Sequence, residues 1–208
     1  MDYKSQYLNL YEFNSNEWGE KSITETYSFS DAFTDEEIEK IIELCLKYPT
    51  EDGEIGADDE KNVNDGVRSS IIRWIRVNEE TKFIYDRITE MIKEANEVMW
   101  GFDLSGYYEP LQFTEYYGND EGHYDWHLDV GPGIDYRKIS ITIQLSDEDE
   151  YDGGELQFLV GPEKMMQTVP KQKGLVSIFP SYLLHRVKNV NKGVRRSLVL
   201  WVSGPPFR

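Results

Sequence analysis

Two kinds of hydrophobic spacing divide the 208-residue chain. In the first half, apolar positions recur every three or four residues. Thr34 opens "TDEE", and Glu37 stands three places on. In that pattern a threonine hydroxyl and a glutamate carboxylate satisfy each other's backbone N–H groups at a helix start. "IEKIIELCLKY" then repeats at helical spacing and stops before Pro49, which predicts a helix over about 35–47. Asn78 predicts the cap of a second helix over roughly 79–98, whose Ile84, Ile88, Met91, Ile92 and Ala95 form one apolar stripe. Such a stripe has to face a core. Between the two helices, "EDGEIGADDEKNVNDG" is too acidic and glycine-rich to pack, and predicts an irregular insertion or a mobile lid over residues 50–66. "SSIIRWIRV" after it predicts a strand.

From Leu111 onward the spacing shortens to two. "LQFTEYY", "KISITIQLS", "GELQFLV", "GLVSIFP", "LHRVKNV" and "RSLVLWVS" are alternating or β-branched runs parted by Gly, Pro, Asn and Asp. Helices followed by many short strands predict an α+β, mainly β domain. Its core is a jelly-roll or cupin-like barrel, with the N-terminal helices buttressing one sheet. The chain reads as one domain over 1–208, a support region to about 105 and a β-rich core over about 106–203.

Charge narrows the partners. The chain has 39 acidic against 22 basic residues, a net of -17, and such a surface repels phosphate backbones and anionic membranes. No nucleic-acid or membrane partner is therefore expected. Cys45 is the single cysteine, so neither a disulfide framework nor a thiolate zinc site can form. "MDYKSQYLNLYEF" lacks the basic start and apolar run of a secretion signal, and no 18-residue apolar span occurs, which sets a cytoplasmic location as the expectation.

Candidate chemistry concentrates in "GHYDWHLD", which holds two of the three histidines. His123 with Asp125 and His127 with Asp129 are two overlapping copies of His-x-Asp. On a strand, residues i and i+2 point to one side about 7 Å apart, so either copy could aim an imidazole and a carboxylate at one ion. The third histidine, His185, follows a strand and a Pro-Ser turn. Two histidines and one carboxylate make the facial set that leaves open positions on Fe(II). Ten residues on, Arg195 starts a strand with Ser197, Val199 and Trp201 on its face, while Arg196 shares the other face with Leu198, Leu200 and Val202. An arginine beyond small residues suits bidentate binding of a ligand carboxylate, and the wholly apolar second face suits packing against the helices.

Taken together, "YYGNDEGHYDWHLDVG", "YDGGELQF" and "GLVSIFPSYLLHRVKNVNKGVRRSLVLW" resemble the iron- and 2-oxoglutarate-dependent dioxygenases of the prolyl-hydroxylase type. The resemblance covers about 111–202 and more loosely "RSSIIRWI". It implies a double-stranded β-helix. Tyr124 matches the family tyrosine three residues before the ligand histidine. His127, Asp129 and His185 are then the implied iron ligands, and Arg195 the implied 2-oxoglutarate anchor. Tyr117 matches a position near the co-substrate, and Gln144 a second contact to it. The implied activity is hydroxylation of a peptide or protein side chain with O₂, with 2-oxoglutarate converted to succinate and CO₂ and ascorbate as an accessory ligand. A free amino acid or other small molecule is the alternative substrate, and a non-catalytic metal-binding module the alternative role. A nucleic-acid demethylase would carry a second arginine six residues beyond the anchor, where this chain has Trp201, and a basic surface.

The remaining residues read more plainly. His123 is expected at a loop or pocket rim, and Arg196 at the surface or in a salt bridge. Gly153 and Gly154 are expected to serve hairpin geometry. Trp126 could line a substrate mouth or cover the barrel.

Overall fold

The computed structural model describes residues 25–53, 66–160 and 165–206. Most of the acidic insertion (54–65), the N-terminal 24 residues and the last two of "GPPFR" lie outside them, and with them the lid and leader expectations.

Helix α1 spans Asp35–Cys45 and starts as its sequence dictates. The Thr34 hydroxyl accepts from the Glu37 amide at 3.3 Å, and the Thr34 amide donates to Oε2 of Glu37 at 3.0 Å. Helix α2 is shorter than its periodicity suggests, Lys82–Ala95, followed by a π-helical turn over Asn96–Trp100. Asn78 does not cap it directly. Its Oδ1 instead accepts from the amides of Glu80 and Thr81, while the Thr81 hydroxyl accepts from the Asn78 amide and donates to the Arg76 carbonyl. Those bonds fold 78–81 as a separate turn and delay the helix to Lys82.

Arg87 of α2 forks onto Glu37 at 2.5 and 2.8 Å, joining the two helices. This arginine, with the Thr34 amide, holds the Glu37 carboxyl at about 2 instead of its ordinary 4.5. A depressed carboxyl contributes stability above its unfolded value and loses it as the pH falls toward the folded one. Glu37→Gln keeps the cap and loses the charge. It should therefore cost under about 1 kcal/mol near neutrality, because the pair is partly exposed. In denaturant titrations the gap to wild type should close as the pH falls from about 4.5 toward 2.

The strands are β1 Tyr27–Phe29, β2 Glu51–Asp52, β3 Arg68–Ser69, β4 Ile71–Ile75, β5 Leu111–Tyr117, β6 His123–His127, β7 Arg137–Gln144, β8 Tyr151–Gly153, β9 Leu156–Leu159, β10 Met166–Thr168, β11 Val176–Pro180, β12 His185–Val187 and β13 Val190–Ser203. All pair antiparallel. One sheet runs β1-β11-β7-β13-β5-β4-β2, with β8 also on β13; the other runs β10-β9-β12-β6-β3. These form the two walls of the double-stranded β-helix.

Two runs depart from the sequence reading. "SSIIRWIRV" is not one strand: the chain leaves the smaller sheet at Ser69 and joins the larger at Ile71. The last two runs, conversely, part earlier than Asn191 and Gly193 suggest: β12 ends at Val187, and β13 continues unbroken from Val190 to Ser203. Gly193 sits inside it at φ 77°, opposite Tyr151, where a Cβ would lie 2.0 Å from the Glu150 carbonyl oxygen.

The odd and even positions of β13 do separate as read. Leu198, Leu200 and Val202 join Ile38 and Ile41 of α1 and Ile84, Ile88 and Ile92 of α2 in the main core. A second cluster, including Tyr116, Tyr151, Leu156, Phe158, Phe179 and Val187, draws on both sheets. Between the sheets lies the site.

Candidate functional site

The walls enclose a cavity of about 410 Å³ lined by His127, Asp129, His185, Arg195, Ser197, Val199 and Trp201, among others. The Nε2 atoms of His127 and His185 and a carboxylate oxygen of Asp129 all lie within 4.8 Å of one another. Asp129 is 3.8 Å from His127 and 3.5 Å from His185.

Each ligand-type group is held from behind. Nδ1–H of His127 donates to the Asp125 carbonyl at 2.7 Å, and Nδ1–H of His185 to the Leu183 carbonyl at 2.8 Å. A carbonyl only accepts, so both Nδ1 atoms carry the proton and both Nε2 lone pairs face inward. The Ser140 hydroxyl donates to Oδ2 of Asp129 at 2.6 Å and lies 3.0 Å from the Ser181 hydroxyl. Rings fix the imidazole planes. Tyr124 stacks on His127 at 3.4 Å and 11°, Arg68 covers the tyrosine at 4.7 Å, and Phe179 meets His185 edge-on at 4.8 Å.

Electrostatics set the protonation states that a metal requires. Burial, followed by the neighbouring His185, pulls His127 down to about 3, so its imidazole is neutral at ordinary pH. Burial alone would raise Asp129, but both histidines, Arg137 and the Ser140 hydroxyl overcome it and hold the carboxyl at about 2. The neutral imidazole of His127, the inward-facing Nε2 of His185 and one carboxylate, aimed at one point, fit a divalent ion.

The competing His-x-Asp is turned away, and the reason is a bulge. His185 pairs with His127, but Val187 pairs with Tyr124, so three residues of β6 span what two of β12 span. The extra residue breaks strict alternation. Tyr124 and His127 therefore both line the cavity, while His123 and Asp125 line an outer groove with Asp152 and Arg186. Asp129, in turn, lies beyond the strand, where its amide donates to the Ser181 carbonyl at 2.9 Å. Trp126 lies under the Arg186 guanidinium, 4.5 Å from its ring centre, on the outer side.

Farther along the cavity, Arg195 is 3% exposed. Its Nη1 meets the Ser197 hydroxyl at 3.3 Å, and its guanidinium lies 5.5 Å from the Tyr116 ring centre. No carboxylate among the described residues pairs with it. A buried guanidinium without a counter-charge is costly, so this end of the cavity is chemically matched to a ligand carboxylate. Arg196 points to the other face and binds Glu115 at 3.0 Å, which also pairs with Arg73.

Of the two weaker site residues, Gln144 is buried beside Arg195, in a recess that shares Thr142 and Leu156 with the main cavity. Tyr117 is not brought to the cavity. Alternation along β5 turns it outward, where it lines a surface groove with Asp52 and Asp120, and puts Tyr116 inward in its place. Sequence reasoning did not single out Ser140, Arg137 or Tyr151. The first had a signal, since Ser140, Thr142 and Gln144 are the polar alternates of "KISITIQ". Arg137 lines the cavity, forks onto Glu109 and stacks on Trp201 at 3.8 Å.

Comparison with known proteins agrees with this geometry. Residues 111–203 match the family model of the 2OG-Fe(II) oxygenase superfamily. A PKHD-type hydroxylase of Parvibaculum lavamentivorans is 36% identical over 101 residues, covering 45% of this chain and 43% of that protein. The chain thus spans less than half the length of that relative. Among solved structures, the Trichoplax adhaerens prolyl hydroxylase in complex with a hypoxia inducible factor oxygen degradation domain peptide fragment superposes with a TM-score of 0.72. It is 17% identical, over 86% of this chain and 83% of that one. A Pseudomonas putida prolyl-4-hydroxylase gives 0.67 at 17% identity, over 86% and 92%. Through residues 111–203 the chain is similar to the 2OG-Fe(II) oxygenase superfamily, and its fold is the double-stranded β-helix that it shares with these prolyl hydroxylases.

Proposed function

We propose that this chain is a single-domain hydroxylase dependent on Fe(II), 2-oxoglutarate and O₂, acting on a prolyl or similar side chain of a peptide or protein. One observation carries the reading: a buried arginine with no carboxylate among the described residues shares a cavity with a buried His-Asp-His cluster. In this reading His127, Asp129 and His185 hold the iron and Arg195 the far carboxylate of 2-oxoglutarate. When bound, the two supply activation of O₂ coupled to decarboxylation, giving succinate, CO₂ and a hydroxylated substrate.

The protein's own share is positional. The two Nδ1–H···O=C bonds fix the orientation of the imidazoles and aim their Nε2 atoms inward, and Ser140 keeps the carboxylate turned toward them. Trp74, Trp201 and Tyr136 add aromatic wall to the cavity, which limits water and gives an apolar ring something to rest on. The Trichoplax relative's peptide complex supports a peptide substrate. Ascorbate as an accessory ligand and a cytoplasmic setting belong to the same proposal. Among the described residues no helix is long and apolar enough to cross a membrane.

The test of substrate class pairs succinate release with mass spectrometry. The loaded enzyme is offered a prolyl-peptide library, lysyl peptides and free amino acids. A gain of one oxygen confined to peptides supports the reading. A gain confined to free amino acids would replace peptide with small-molecule hydroxylation.

A further inference from the structure

Asp129 turns both of its carboxylate oxygens toward the histidines. Oδ1 lies 3.8 Å from Nε2 of His127, and Oδ2 lies 3.5 Å from Nε2 of His185. A carboxylate so placed can give an ion one oxygen or both. The difference decides what else fits. Two imidazoles and one carboxylate oxygen leave three positions of a six-coordinate ion open, and a second oxygen leaves only two. A chelating 2-oxoglutarate takes two, so O₂ needs the third.

Two serines tell the oxygens apart. Ser140 of β7 and Ser181, in the turn between β11 and β12, are both fully buried. The ionised Asp129 can only accept, so the Ser140 hydroxyl donates to its Oδ2, at 2.6 Å. That spends the one proton of Ser140. Between the two hydroxyls, 3.0 Å apart, Ser181 is therefore the donor. The chain runs one way, from Ser181 to Ser140 to Oδ2. Each bond polarises the next, and an oxygen that accepts such a bond has less electron density left for an ion. Oδ1 is then the better donor of the two.

Ser181 grips the same residue a second time, because its carbonyl accepts the Asp129 amide N–H at 2.9 Å. Two residues farther along the turn, the Leu183 carbonyl accepts Nδ1–H of His185. One short turn thus orients two of the three ligand-type groups.

We propose that Ser181, acting through Ser140, is a positioning residue that keeps Asp129 a one-oxygen ligand and so keeps a third position open on the metal. The inference rests on the functional reading above.

The experiment uses the full chain, saturated anaerobically with Fe(II), and nitric oxide as the probe of an open position, followed by electron paramagnetic resonance. Wild type should bind nitric oxide both with and without 2-oxoglutarate. Ser140→Ala should weaken it roughly tenfold or more when 2-oxoglutarate is present, the worth of a hydrogen bond to a charged group. Without 2-oxoglutarate the same variant should change little, since open positions remain even beside a two-oxygen carboxylate. Ser181→Ala should move the reading in the same direction by less, because Ser140 still donates. Ser140→Thr keeps the hydroxyl and should restore the wild-type value. Nitric oxide affinity equal to wild type in both alanine variants would overturn the proposal. A parallel loss with and without 2-oxoglutarate would overturn it too, since that marks a merely structural role. Wild-type protein that takes up Fe(II) but not 2-oxoglutarate would overturn the functional reading itself, without any variant.

Discussion

His127→Ala is expected to lower Fe(II) affinity by more than roughly 100-fold, and His123→Ala to leave it nearly unchanged, since even outer partners of a ligand cost about 10–100-fold. The two histidines are four residues apart and carry the same His-x-Asp spacing. The bulge in β6 sends them to different sides. Removing His127 leaves the buried Asp129 with one imidazole neighbour and an ion with two protein ligands. Among the described residues, removing His123 breaks only a side-chain hydrogen bond to the Glu121 carbonyl. Anaerobic equilibrium dialysis of both variants measures the difference. Equal losses would show that the ion sits elsewhere.

Arg195→Met is expected to cost about 100-fold or more in 2-oxoglutarate affinity, consistent with the roughly 2–5 kcal/mol lost when one partner of a buried charge pair is removed. Metal affinity should hold, because Arg195 contacts none of the three ligand-type groups. The same variant carries a second, opposite expectation. Without ligand, the guanidinium is buried with no carboxylate among the described residues to offset its desolvation. Replacing it with an apolar side chain of similar length should leave the unliganded protein's melting temperature unchanged or raise it. Wild type should then gain more from added 2-oxoglutarate than the variant does, because a ligand stabilises only the state it binds. Thermal melts with and without 2-oxoglutarate read both effects. Unchanged affinity in Arg195→Met would remove the arginine from the site.

Where the sequence was legible, the reason is local. A capping box needs only residues three apart, so Thr34 and Glu37 located α1 within two residues at its far end. Alternation needs only a strand, so β13 divided into a cavity face from Arg195 to Trp201 and a core face from Leu198 to Val202. The rest depended on partners far along the chain. The bulge in β6 is set by its pairing with β12, some sixty residues on, and no pattern within "GHYDWHLD" discloses it. Tyr116 and Tyr117 are adjacent and chemically alike; which one faces the cavity follows from the register of β5 against β13. Gly193 looked like a break between strands, because its positive φ is a turn signal unless the facing backbone demands it. Tyr151 was hidden for a similar reason. Its hydrogen-bond partner Arg195 lies across the sheet, and the neighbouring Gly153 and Gly154 read from sequence as a plain hairpin.

If one cavity binds Fe(II) and 2-oxoglutarate together, titration of 2-oxoglutarate into the anaerobic protein with and without Fe(II) will show it. The expected result is one equivalent bound tightly when the metal is present, weak binding when it is absent, and a visible charge-transfer band that grows with saturation. Protein that takes up one Fe(II) and shows neither 2-oxoglutarate uptake nor the band would contradict it.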